Sequence, residues 1–182
     1  MPQLPGTDLT VSELCLGGNV FGWTADEPTS FAILDRYADA PPSAVAPFVD
    51  TAESYGTGES ERIVGAWMAS RGNRDSIVVA TKASPLEKEH PLSAGETIDS
   101  PRAKGASQYV GEKGDRVLAA LAEVADAHQV TGAAVALRWL ADQPTVVAPI
   151  ASGRSVEQLA DLLPMQDLVL TDEQRQRLTD AS

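Results

Sequence analysis

Ile77-Val78-Val79-Ala80 is a run of apolar residues without polar alternation, which suits a strand buried on both faces of a parallel sheet. Parallel neighbours need crossover connections, so helices must flank such a strand. The residues before it supply them. Leu9 to Gly18 alternates, then turns apolar at Val11, Leu14, Cys15 and Leu16 before Gly17-Gly18-Asn19 breaks it, which predicts a strand entering a tight turn. Asp26 can cap a helix with Pro28 in its first turn, and Phe31, Ile33, Leu34, Tyr37 and Ala38 keep helical spacing until Pro41-Pro42. Phe48 to Thr51 reads as a second strand. Gly58-Glu59-Ser60 leads a helix whose Ile63, Val64, Trp67 and Met68 form one apolar stripe, closed by Arg71-Gly72-Asn73. The first 82 residues therefore read βαβαβ.

Residues 83–114 carry Pro85, Pro91, Gly95, Pro101, Gly105, Gly111 and Gly114 with no apolar period, and are expected to form an irregular loop. Helical spacing resumes at Val117, Leu118, Leu121, Val124 and Ala125, and Thr131 caps a second helix carrying Val135, Trp139 and Leu140. Pro144 ends it and Val146 to Ile150 is expected as a last strand. Ser155 with Gln158, and Thr171 with Gln174, have capping-box spacing, the second opening a short helix that ends near Leu178. The expectation is one domain over residues 1–182 with an α/β fold, its function at the carboxyl ends of the strands.

Charge narrows the partners. Fourteen Lys+Arg against 26 Asp+Glu give a net charge of −12, which repels phosphate backbones and anionic lipid alike, so neither nucleic acid nor membrane is expected as a partner. Cys15 is the only cysteine, which rules out an intrachain disulfide or thiolate metal cluster and suits a reducing, cytoplasmic compartment. Neither His90 nor His128 has metal-ligand company, so no metal is expected.

The chemistry gathers at strand ends. Asp50 and Tyr55 follow the second strand and Lys82 follows the third, an acid, a phenol and an amine that can make a proton-donating site. A phenol of reference pKa ~10 is a reluctant donor, and a nearby ammonium favours its anion. An acid beside the amine would hold that ammonium in place. The last strand delivers Ser152-Gly153-Arg154-Ser155 to a helix start, where free N–H groups and the dipole favour a phosphate.

Asp50-Thr51-Ala52-Glu53-Ser54-Tyr55-Gly56 followed by Gly58-Glu59-Ser60-Glu61 resembles the signature of the aldo-keto reductases. Leu9 to Leu14 with Leu16-Gly17, Lys82 after Val79-Ala80-Thr81, and Ala148-Pro149-Ile150-Ala151-Ser152 fit the same family. The resemblance covers roughly residues 4–82 and 99–182. It implies a TIM-barrel-derived (β/α) fold and NADPH-dependent reduction of small aldehydes or ketones. By motif, Asp50, Tyr55 and Lys82 match three of the family's four catalytic residues: Tyr55 as general acid, Lys82 as the charge that tunes it, Asp50 as the partner of Lys82. Gly18, Ile150, Ser152, Gly153, Arg154 and Gln158 stand where the family binds cofactor, with Arg154 suited to a 2′-phosphate and Gln158 to the adenine. Trp23 stands where members line the substrate pocket, although a surface anchor explains it equally well.

The middle of the barrel does not fit into this chain. A βαβ unit takes ~30 residues, so four strand and helix units need ~120, whereas only about 17 stand between Lys82 and Asp99. Strands four to seven are thus expected to be missing, together with the family's fourth catalytic residue, a histidine that orients the carbonyl. About four strands would remain, in the order last, first, second, third. Such a half-barrel has open edges and an open inner face, which invite a homodimer or collapse onto the 83–114 loop. Two readings follow: a reductase of small carbonyl compounds, or a non-catalytic nucleotide-binding or scaffold remnant of that family.

Overall fold

The computed structural model describes residues 2–41, 45–83 and 103–182. Four strands form one parallel sheet: β1 (Val11–Gly17), β2 (Ala46–Asp50), β3 (Val78–Ala80) and β4 (Ile150–Ala151), ordered β3-β2-β1-β4. This is the expected order of an incomplete barrel, and among the described residues the sheet does not close on itself. Between the strands run α1 (Glu27–Ala38), α2 (Glu59–Arg71), α3 (Ala103–Ala106), α4 (Glu112–His128) and α5 (Gly132–Ala141), and after β4 come α6 (Val156–Leu162) and α7 (Asp172–Ala181).

The helix starts follow the sequence signals. Asp26 accepts from Thr29 N–H at the start of α1, Thr131 caps α5, and Thr171 with Gln174 makes the complete reciprocal box of α7. α2 begins at a left-handed Gly58 and ends at a left-handed Gly72, a conformation that suits a residue without Cβ.

The apolar stripes bury against one face of the sheet. Leu14, Leu16 and Val49 meet Ile33, Leu34, Ile63, Val64 and Trp67 in one core, extended by Leu159 and Met165. Full burial of each such side chain contributes ~1.5–3 kcal/mol. Trp67 is fully buried and its indole N–H donates to Asp35 at 2.7 Å, which locks α2 to α1. A satellite cluster of Ala120, Val124, Val135, Leu170 and Leu178 joins α4, α5 and α7.

Several boundaries differ from the sequence reading. Within 83–114, residues 103–106 are helical and α4 starts at Glu112, so the described end of this segment is not irregular throughout, and residues 84–102 lie outside the described residues. β4 is only Ile150–Ala151, because Pro149 has no N–H for the ladder and contributes its carbonyl to Cys15 N–H instead. α7 runs to Ala181. Leu118 is exposed and Trp139 is only partly buried, its indole reaching Thr179, so the stripe on α4 and α5 is narrower than its spacing suggests. β3 is half-buried on both faces because no described strand pairs with its outer edge.

The β1–β2 ladder slips, pairing Val11 with Ala46 but Cys15 with Phe48. Two hydroxyls fill the gap. Tyr37 Oη lies 2.5 Å from the Leu14 carbonyl and 2.9 Å from the Phe48 carbonyl, which share its one hydrogen, and Ser12 Oγ accepts from Phe48 N–H at 3.1 Å. Burial pushes the Tyr37 phenol well up from its ordinary value, so it stays a neutral donor. Tyr37→Phe is expected to lower stability by ~1–3 kcal/mol, since buried carbonyls lose their donor. A fall in the denaturant midpoint checks this, and an unchanged midpoint contradicts it.

Candidate active site

All four strand ends deliver loops to one end of the sheet. β2 ends on Asp50, flanked in register by Gly17 and Ala80. Asp50 is 7% exposed, and a carboxylate so placed needs compensation. Lys82 provides it, donating to both Asp50 oxygens at 2.7 Å and to the Thr51 carbonyl at 2.9 Å. An ammonium only donates, and these oxygens are matched acceptors for it. The main chain holds Lys82 as well, because its carbonyl accepts from Glu53 N–H at 3.1 Å.

Tyr55 completes the group. Lys82 Nζ lies 5.2 Å from the centroid of its ring, within cation–π range. Burial alone pulls the Lys82 pKa down, but the hydrogen bonds and charge of Asp50, joined by Tyr55, outweigh it, and the net shift is upward from 10.5. The ammonium is therefore secure at neutral pH while its side chain stays half-exposed. The backbone at Gly56, Thr57 and Gly58 is left-handed, with φ of 59°, 57° and 87°. Thr57 has no glycine's freedom, so this sharp turn stores ~1–2 kcal/mol of strain directly after the phenol.

The structure thus brings Asp50, Tyr55 and Lys82 together. Gly18 reaches them through the backbone, its N–H donating to the Asp50 carbonyl at 2.7 Å. A Cβ on Gly18 would lie 2.8 Å from Ser60 Oγ and 3.2 Å from the Asp50 carbonyl oxygen, so the space beside this glycine is already filled by protein. Trp23 lies half-buried on the same loop, tied by its N–H to the Val20 carbonyl.

The β4 end forms a second group. Ile150 is exposed, and the Ser152 hydroxyl donates to Asn19 Oδ1, joining this loop to the end of β1. A Cβ on Gly153 would stand 2.9 Å from Leu159 N, so this glycine lets the loop pack on α6. Gln158 turns its carbonyl oxygen onto Arg154 N–H at 2.9 Å while Ser155 Oγ accepts from Gln158 N–H. The capping-box spacing therefore braces Arg154 rather than Ser155.

Four contributors escaped the sequence reading: Asn19, the Thr51 carbonyl, Ser60 and Glu61. Ser60 and Glu61 stand inside the motif that identified the site, which was the available signal. His128 lies far from these loops and bonds Gln174 at 3.0 Å, and His90 lies outside the described residues. Among the described residues no three His, Cys, Asp or Glu side chains gather to hold a metal. A cavity of about 810 Å³ opens at the other end of the sheet, lined by Arg36, His128, Leu163, Pro164 and Leu168. It touches none of the strand-end residues named above.

Comparison with known proteins decides the lineage. The profile of the Aldo/keto reductase family matches residues 13–118 and 95–182. The chain belongs to the aldo/keto reductase family. Norsolorinic acid reductase stcV of Emericella nidulans is 45% identical over 126 residues, 58% of this chain and 32% of that one. Aldo-keto reductase ausK of Aspergillus calidoustus is 37% identical over 102 residues, 52% and 25% of the two chains. Aryl-alcohol dehydrogenase [NADP(+)] of Phanerodontia chrysosporium is 38% identical over 115 residues, 59% and 27%. This family member therefore spans about a quarter to a third of the curated relatives it matches. In fold it is similar to an aldo-keto reductase from Klebsiella pneumoniae solved in complex with NADPH, with a TM-score of 0.62 and 16% identity over 93% of this chain and 90% of that one. No helix among the described residues is long and apolar enough to cross a membrane.

Proposed function

We propose that this oxidoreductase-family chain reduces small aldehydes or ketones with NADPH, using Tyr55 as the proton donor. One observation carries the reading: Asp50 clamps the Lys82 ammonium 5.2 Å from the Tyr55 ring centroid at the carboxyl end of the sheet, where both Tyr55 and Lys82 remain accessible. The residues present fit a nicotinamide cofactor. The donor set is a phenol beside an ammonium held by Asp50, and Arg154 stands at the neighbouring β4 loop with its backbone fixed by Gln158. Arg154 would hold the adenosine 2′-phosphate, with Ser152 and Gly153 shaping the loop beside it. The cofactor of the Klebsiella pneumoniae protein supports the choice of NADPH.

Bound NADPH supplies hydride, which no side chain can. Tyr55 gives its phenolic proton to the carbonyl oxygen as that oxygen becomes an alkoxide. The phenolate left behind faces the Lys82 ammonium, whose charge offsets the new negative charge. Asp50 neither gives nor takes a proton, and it keeps the ammonium aimed. Water returns a proton to Tyr55, so aldehyde, hydride and proton balance to alcohol. Trp23 would stack against an aromatic substrate, and the aryl-alcohol dehydrogenase relative supports aryl aldehydes as the first to try. The test follows NADPH oxidation with a panel of aryl and alkyl aldehydes. Turnover of at least one supports the reading, and no turnover at saturating NADPH overturns it.

A second reading has its own observation: no described histidine stands at the strand ends, where one would orient the carbonyl. A non-catalytic nucleotide-binding or scaffold protein would show thermal stabilisation by NADPH without oxidation of it. A cytoplasmic address belongs to the same proposal, supported by the buried free thiol of Cys15. So does a homodimer through the open sheet, supported by exposed Ile150 on its inner face, and sedimentation at two concentrations reads it.

A further inference from the structure

The loops that carry the site meet at one buried hydroxyl. Ser60, in the first turn of α2, is fully buried, and its Oγ lies 2.8 Å from the Gly18 carbonyl and 2.8 Å from Thr51 Oγ1. A serine hydroxyl has a single hydrogen, and a carbonyl oxygen only accepts. Ser60 must therefore donate to Gly18, and Thr51 must donate to Ser60. The directions of both bonds are settled by this count.

The two partners are the residues that bracket the clamp. Gly18 donates its N–H to the Asp50 carbonyl at 2.7 Å. Thr51 donates its N–H to the Ala80 carbonyl at 2.8 Å, and its own carbonyl accepts from Lys82 Nζ at 2.9 Å. Ser60 thus closes a ring of hydrogen bonds around the Asp50–Thr51 peptide, tying the ends of β1 and β2 to α2. There is no slack in it, since even a methyl on Gly18 would stand 2.8 Å from Ser60 Oγ. The next residue adds an outer arm: Glu61 accepts from Thr81 Oγ1 at 2.6 Å, steadying the residue before Lys82.

We infer that Ser60 is a positioning residue, whose hydroxyl sets the Thr51 carbonyl and Asp50 carboxylate so that Lys82 is held against Tyr55. Its contribution to rate rests on the proton-donating reading above. Its contribution to geometry does not, and the two are separable by experiment.

The experiment uses the full chain with lysine side chains labelled at Cε and the Lys82 resonance assigned by its loss in Lys82→Arg. Four proteins are titrated by NMR: wild type, Ser60→Ala, Thr51→Val and Thr51→Ser. In the wild type Lys82 is expected to titrate above its ordinary 10.5. Ser60→Ala and Thr51→Val are expected to move it back toward that value, because each opens the ring. Thr51→Ser keeps the hydroxyl and is expected to match wild type. In aldehyde reduction kcat is expected to fall about tenfold or more in Ser60→Ala, with KM within about twofold.

A folded Ser60→Ala whose Lys82 titrates as in wild type overturns the inference, even if its denaturant midpoint falls. Should Ser60→Ala fail to fold, Thr51→Val decides by the same criterion. If the wild type turns over no aldehyde, the functional reading fails, while the titration still supports or overturns the role of Ser60.

Discussion

Tyr55→Phe is expected to cut NADPH-dependent aldehyde reduction by about a hundred- to ten-thousandfold. The ring is expected to keep its place near the Lys82 ammonium, because the 5.2 Å contact with its π face survives loss of the hydroxyl. What disappears is the proton. An alkoxide formed without a donor is a high-energy product, so the loss should fall on kcat and leave KM nearly unchanged. Binding of NADPH should persist. A variant with wild-type kcat would remove Tyr55 from the mechanism, whatever else the chain does.

Lys82→Met should be comparably damaging to the rate, at roughly a hundredfold or more, and should add a second effect that Tyr55→Phe lacks. It leaves Asp50, 7% exposed, as a carboxylate without its partner, and an uncompensated buried charge destabilises a fold. Because the lysine side is half-exposed, water offsets part of that penalty. Replacing Asp50 as well, by Leu, should restore the denaturant midpoint without restoring the rate, separating the structural role of the pair from its catalytic one. The pH dependence carries the same signature. The folded pKa of Lys82 is raised, so the clamp's stabilisation is fully present below 10.5 and is lost as pH rises through the higher folded value. The wild-type Tm should therefore decline through that alkaline window more steeply than the Tm of Lys82→Met. Parallel curves would contradict the clamp.

Much of this was legible in the chain because its local signals and its architecture agree. Gly17-Gly18 after an apolar strand, Asp26 before Pro28, and Thr171 with Gln174 each place an element boundary by backbone chemistry alone. The strand order β3-β2-β1-β4 followed from which units of a barrel the length leaves room for. Less legible were features set by long-range contact. The slipped β1–β2 ladder depends on Tyr37 arriving from α1 to serve unpaired carbonyls, and no periodicity within β1 encodes that. The brevity of β4 came from Pro149, a residue visible in the sequence whose cost to the ladder depends on which neighbour it faces.

The site divides in the same way. Asp50, Tyr55 and Lys82 are readable because the run from Asp50 to Glu61 and the strand end at Lys82 resemble the family's signature, whereas an acid, a phenol and an amine alone would read as a cap, a surface phenol and a solvated amine. Ser60 was visible only as a letter of a motif, since a serine at a helix start reads as a cap until its burial and its two partners are known. Gln158 reads as a ligand contact in the sequence and as a loop brace in the fold, because its amide oxygen finds Arg154 N–H first. The cofactor role proposed for Arg154 depends on charge rather than on packing.

The central claim is that this open, four-stranded member of the aldo/keto reductase family still delivers hydride and proton to a carbonyl. Deuterium transfer tests it most directly. The chain is incubated with an aryl aldehyde and NADPH deuterated at the transferable position, and the alcohol is analysed by mass spectrometry. The account predicts an alcohol bearing deuterium at the former carbonyl carbon with the wild type, its formation slowed about a hundredfold or more with Tyr55→Phe. Unlabelled aldehyde recovered intact from wild type that demonstrably binds NADPH would contradict it.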